Sequence, residues 1–120
     1  MAKQDHPFYP DRDHHSDHEL FLEGIAGRFK VRLTFFSKED NGNLVRLCAP
    51  MDFGPSRRTA DGHNRYHFWD YESDKKTHTL SLLANQIENI ELLSENFEPA
   101  EFVTWPVISW YTSRDWAAYS

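Results

Sequence analysis

Asn41-Gly42 is the dipeptide that most constrains how this chain can fold. Both residues tolerate positive φ, so the pair turns the chain back on itself as a hairpin. The flanks agree with that reading. Upstream, Val31, Leu33 and Phe35 alternate with Arg32, Thr34 and Phe36, the period-two pattern of a strand. Downstream, Leu44 to Ala49 returns as the partner strand, and Pro50, with no N–H to give, is expected to end its pairing.

The remainder of the chain divides on the same logic. Residues 51–64 carry Gly54-Pro55, Ser56 and Asp61-Gly62 without sustained periodicity, and are expected to form a long connection of the kind that often carries function. Arg65 to Tyr71 is a β-prone run, residues 72–76 make a polar turn, and Thr77 to Leu83 completes a second hairpin. Ala84-Asn85-Gln86 interrupts the pattern before a last strand from Ile87 to Leu93. Five short hairpin-linked strands predict a mainly β fold that closes into a small barrel, since closure removes the exposed edges of so small a sheet.

Before the first strand, Leu20, Phe21, Ile25 and Phe29 fall at helical spacing. Ser16 and Glu19 fit a capping box, so a short helix is expected over residues 17–26, with Gly27 as its stop. Residues 1–15, with Pro7, Pro10 and three histidines, read as a flexible polar leader. The end of the chain is different. Phe97, Phe102, Trp105, Trp110, Tyr111, Trp116 and Tyr119 lie among Pro99 and Pro106. An aromatic density of that order belongs to a segment that packs on its own domain or on a partner.

The chain has 120 residues, which is one domain. Its net charge of -6 excludes broad, charge-led binding to nucleic acid. Cys48 stands alone, so no internal disulfide forms, and no apolar stretch reaches the eighteen residues that a membrane span needs. A cytoplasmic protein is the expected reading.

Few residues propose chemistry. His14 and His18 are four apart, with His15, Asp11 and Asp13 close by, a candidate zinc or nickel set if the helix begins early; a solvated acidic leader is the plainer reading. Arg57-Arg58 could clamp an anion, joined by Arg46 and Arg65, or could pair with Asp52 or Asp61. His67, Trp69 and Tyr71 share one face of their strand and Tyr66 and Phe68 the other; they form a stacking platform, or fill the core and receive the tail. Cys48 reads as a small buried hydrophobe, and no nucleophile elbow, phosphate loop or His-Glu-x-x-His is present.

The order of elements resembles the WYL family. Phe29-Lys30-Val31-Arg32-Leu33-Thr34-Phe35 leads into the Asn-Gly hairpin, and Arg46-Leu47-Cys48-Ala49-Pro50 is similar to the family's Arg-x-Val-Glu-Pro strand end. Arg65-Tyr66-His67 stands at the Trp-Tyr-Leu signature, and residues 81–87 at Phe-Arg-Leu-Asp-Arg-Ile, with Leu83 and Gln86 where the family has arginines. The resemblance covers about residues 18–98. It implies a five-stranded Src-homology-3-like (Sm-like) barrel that senses nucleotide-type or nucleic-acid ligands, normally beside a DNA-binding or effector domain.

These readings combine into one expectation: a leader over 1–15, a barrel over 16–98 and an aromatic tail over 99–120. The function expected is a ligand-sensing or regulatory module for an anionic, nucleotide-like ligand or a partner protein, and not an enzyme. Arg46, Arg57, Arg58, Arg65 and Tyr66 are the candidate contacts; no cofactor is expected, and the tail is the surface for a protein partner or self-association. The alternatives are a metal-dependent enzyme or metal-binding protein built on His14, His15 and His18, and a purely structural interaction protein.

Overall fold

The computed structural model describes residues 13–59, 61–73, 78–105 and 108–120. Residues 1–12 of the expected leader and most of the 72–76 turn lie outside that set. A helix, α1 (His18–Gly27), precedes five strands: β1 (Phe29–Ser37), β2 (Gly42–Pro55), β3 (Asn64–Asp70), β4 (Thr79–Leu82) and β5 (Ile87–Asn96). All pair antiparallel in one sheet of order β4-β3-β2-β1-β5. No ladder joins β4 to β5 among the described residues, so the sheet is unclosed.

The first hairpin forms, with a longer loop than a two-residue turn. Ser37 pairs with Gly42, and residues 38–41 make the connection, closed by Asn41 N–H donating to Lys38 O at 3.2 Å. Asn41 takes the left-handed conformation, φ 51°, while Gly42 opens β2.

β2 runs beyond the expected stop at Pro50. It pairs with β1 up to Cys48 and with β3 from Cys48 onward, so it serves two halves of the sheet in turn. Leu47 O accepts from Tyr71 N–H at 3.0 Å, which turns residue 47 toward β3. Residue 50 therefore faces the side that β1 has already left, and its missing donor costs no ladder bond. The register shift between Pro50 and Asp52 absorbs the irregularity. As a result, residues 51–55 of the expected 51–64 connection are strand.

The capping box at Ser16 does not form. Asp17 is the N-cap without a side-chain cap bond, because its carboxylate instead accepts Ile90 N–H at 2.9 Å. Gly27 stays within the helix, and Arg28 takes the left-handed position at φ 57°. Asn96 Nδ2 holds that end, donating to Gly27 O and Arg28 O at 3.1 Å each.

Helix, sheet and tail share one core. Phe21 and Ile25 of α1, Val31 and Leu33 of β1, and Tyr66 and Phe68 of β3 are fully buried. Phe97, directly after β5, joins Phe102, Val103 and Trp116 of the tail, the last only 1% exposed with its indole N–H donating to Ile25 O at 2.8 Å. Among the described residues, no helix is long and apolar enough to cross a membrane.

Candidate functional site

A cavity of about 540 Å³ opens where the end of β2 meets β3, β4 and the tail. Alternation along β3 decides which side chains reach it. Tyr66 and Phe68 point into the core, so His67 points the other way, toward the cavity. Ser81, its register partner on β4, stands beside it. Ser81 Oγ lies 2.8 Å from His67 Nδ1, and His67 Nε2 lies 2.9 Å from Gly54 O. Burial pushes the His67 pKa below its ordinary value.

The tail builds the opposite wall with Trp105, Trp110 and Tyr111. What fixes it there is a buried ion pair. Arg114 Nη2 donates to Asp52 Oδ1 at 3.1 Å, with the two side chains 1% and 8% exposed. Asp52 also accepts Tyr111 N–H at 3.0 Å and Thr112 N–H at 2.9 Å. The Arg114 guanidinium is packed against Trp110 and Trp116, 4.0 and 4.4 Å from the ring centroids, and donates to Thr112 O and Met51 O. Burial lowers its pKa to about 10, which leaves it charged at neutral pH.

Of the five contacts expected from sequence, the fold brings two to the cavity. Arg57 and Arg58 both line it. Arg57 Nη2 is 3.4 Å from Ser109 O and its guanidinium 5.4 Å from the Tyr111 ring centroid, so it spans from the β2 end to the tail. The other three have different partners. Arg65 is bidentate to Asp61 at 2.9 and 3.0 Å, bonds that hold the Asp61 carboxyl well below the usual carboxylate range. Arg46 donates to Glu72 O at 2.9 Å and lies 3.9 Å from Asp70, away from the cavity. Tyr66 is fully buried, its hydroxyl bonded to His15 N–H and His18 Nδ1 at 2.8 Å each, and burial raises its pKa to about 12.

The histidine candidates are spent on structure. His15 Nδ1 accepts Asp17 N–H at 2.9 Å while Nε2 lies 3.0 Å from Ile87 O. His14 and His18 stack face to face, centroids 3.7 Å apart and planes at 8°, against the edge of Phe53. Among the described residues no three His, Cys, Asp or Glu side chains gather as a metal set; Asp11 lies outside them. Trp69 and Tyr71 of the aromatic face receive the tail: Trp69 stacks on Phe102 at 5.7 Å, and Tyr71 O–H donates to Glu101 at 2.8 Å. Cys48 is buried, and desolvation pushes its thiol far above the ordinary range.

Sequence reasoning missed the pairing of His67 with Ser81 and the Asp52–Arg114 pair. The parity of β3 carried the signal for the first; nothing local carried it for the second.

No family model matches this chain, and no curated protein matches it. Among solved structures, proteasome accessory factor B/C (PafBC) of Arthrobacter aurescens has a similar fold over 74% of this chain and 13% of its own, at a TM-score of 0.55 and 12% identity. The likeness is one of fold, and this chain spans a small fraction of that protein's length.

Proposed function

We propose that this chain is a small regulatory binding module that takes an anionic, nucleotide-like ligand in the cavity between β2, β3, β4 and the tail. The observation that carries the reading is the adjacent pair Arg57 and Arg58 lining a cavity of about 540 Å³ in a chain of net charge -6. Two guanidiniums concentrate positive potential at one place, and their planar forks fit phosphate or carboxylate oxygens. Trp105 and Trp110 offer faces on which a flat ligand could stack. Arg46, Arg65 and Tyr66 are supports of the fold in this reading, and the ligand contacts are Arg57, Arg58 and the cavity walls.

The fold supports it. We read residues 16–98 as an open form of the small Src-homology-3-like (Sm-like) barrel, with β2 bending at Cys48 between its two halves. The motif resemblance to the WYL family and the fold likeness to part of PafBC agree with that reading. Residues 99–120 are then a strap that completes the site.

The experiment is a binding screen with nucleotides and short single-stranded oligonucleotides, comparing the parent with an Arg57→Ala/Arg58→Ala variant at two salt concentrations. Binding should weaken at least tenfold in the variant and fall as salt rises. Absence of binding to all of these probes removes the anion reading. Protein docking at the tail would then replace it, because Tyr111 is 52% and Trp105 37% exposed.

A further inference from the structure

His67 and Ser81 come from neighbouring strands, fourteen residues apart, and meet at the cavity. Their protonation follows from their partners. Gly54 O can only accept, so Nε2 of His67 carries a proton. In the neutral ring Nδ1 is then a lone pair, and the hydroxyl 2.8 Å away donates to it. Burial keeps the ring neutral at pH 7. Of the charged groups around it, Asp52 on β2 favours the cation, while Arg65 on β3 and Arg57 oppose it. A hydroxyl donating to a base whose far nitrogen is locked by a third group is the arrangement that activates a serine. Arg57 and Arg58 line the same cavity as His67 and Ser81 and add positive charge to it, which favours an oxyanion formed there.

We propose that Ser81 is a nucleophile, with His67 its general base, and that the cavity transfers the acyl group of a small anionic ester to water. The anionic part of the substrate rests on the reading of the cavity as an anion site. In the first half, Ser81 Oγ bonds to the acyl carbon as its proton passes to His67 Nδ1. The ester C–O bond then breaks, and the departing alkoxide takes that proton. In the second half, water adds to the acyl carbon and gives a proton to Nδ1. The bond to Ser81 Oγ breaks, and the oxygen recovers the proton. Ester and water become acid and alcohol, with nothing left over. No serine-hydrolase motif announces this pair because the two residues sit opposite each other on strands and not in a strand-to-helix turn.

The test is labelling of the intact chain with a fluorophosphonate, read by mass spectrometry, beside hydrolysis of 4-nitrophenyl succinate and 4-nitrophenyl acetate. Ser81 should carry the label in the folded protein and not after heat denaturation. Both rates should fall at least 100-fold in His67→Gln, the lower end for loss of a general base. A Ser81 left unlabelled, or labelled equally in a folded His67→Gln variant, overturns the proposal. Should His67→Gln fail to fold, Ser81→Cys replaces it: the introduced thiol should alkylate with iodoacetamide at pH 6.5 at least tenfold faster than free cysteine, and an equal rate overturns the pairing. Cys48 is buried and adds little background. Labelling of Ser81 without binding of any anion overturns the anion reading and the anionic substrate while the dyad stands; binding without labelling overturns the dyad alone.

Discussion

Replacing Arg114 with alanine should remove about 3–5 kcal/mol of folding stability, the range for deleting one partner of a buried ion pair. The guanidinium is almost wholly enclosed, and it is bonded to Asp52, Thr112 O and Met51 O between two indoles. Its loss leaves the Asp52 carboxylate buried beside the Tyr111 and Thr112 amides, and opens a hole between Trp110 and Trp116. A chain of this length has roughly 6–18 kcal/mol in all, at about 0.05–0.15 kcal/mol per residue. The variant should therefore melt roughly 12–20 °C lower, taking about 4 °C per kcal/mol. Urea unfolding followed by tryptophan fluorescence and far-UV circular dichroism measures it. Arg114→Met keeps an apolar stem between the indoles and should lose less. Combining it with Asp52→Asn removes the orphaned charge, so the double variant should be more stable than the sum of the singles by at least about 1 kcal/mol. A cost below about 1 kcal/mol for Arg114→Ala, or strict additivity in the cycle, refutes the view that this pair holds the tail.

Three further outcomes are expected. Trp116→Phe should cost about 2–3 kcal/mol in the same urea assay, through a smaller ring and an Ile25 O left without the indole donor; a loss under 1 kcal/mol would show that the tail is loosely seated. Gly54→Ala should destabilise by about 1–3 kcal/mol, since its Cβ would collide with the Tyr111 ring and push the tail outward; an unchanged Tyr111 environment by NMR counts against the stated packing. Because the folded pKa of His67 is lowered, its contribution to stability is complete above about pH 6.5 and is lost as pH falls toward the folded value. The melting temperature should drop between pH 7.5 and 5, with a shallower slope in a folded His67→Gln variant; an identical slope would assign the acid sensitivity elsewhere.

The parts of this fold that sequence made legible are those decided within a few residues. Alternation around Val31 and Leu33, and a positive-φ residue at Asn41, suffice for a hairpin because the pleat and the turn are both local properties. Pro50 misled for the opposite reason. Whether a missing N–H matters depends on which neighbour lies beside it, and the β1–β2 ladder stops at Val31–Cys48, a register that the residues around Pro50 do not contain. The charges followed the same division. Asp52 and Asp61 are the acids to which Arg57-Arg58 could have been paired, yet Asp61 takes Arg65 at i+4 and Asp52 takes Arg114 from sixty-two residues away. The first pairing was within reach of inspection, whereas the second requires the tail to be docked already.

A similar argument separates the two faces of β3. Tyr66 stood out as the surviving residue of a motif, but its parity with Phe68 places it in the core, and the polar residue between them is the one that meets the cavity. A residue that matches a family pattern and a residue that reaches a ligand are selected by different physics, the first by packing and the second by what remains exposed after packing. Arg57 and Arg58 line the cavity because the end of a strand bordering a loop has little core to fill. His67 lines it too, but its partner Ser81 becomes visible only when the β3–β4 register is known. In a sheet this small every strand residue either fills the core or faces outward, so the side chains free for chemistry are the polar ones whose alternation puts them opposite the core beside a segment that covers them. Here that segment is the tail, and the Asp52–Arg114 pair that fastens it also gives the cavity its fourth wall.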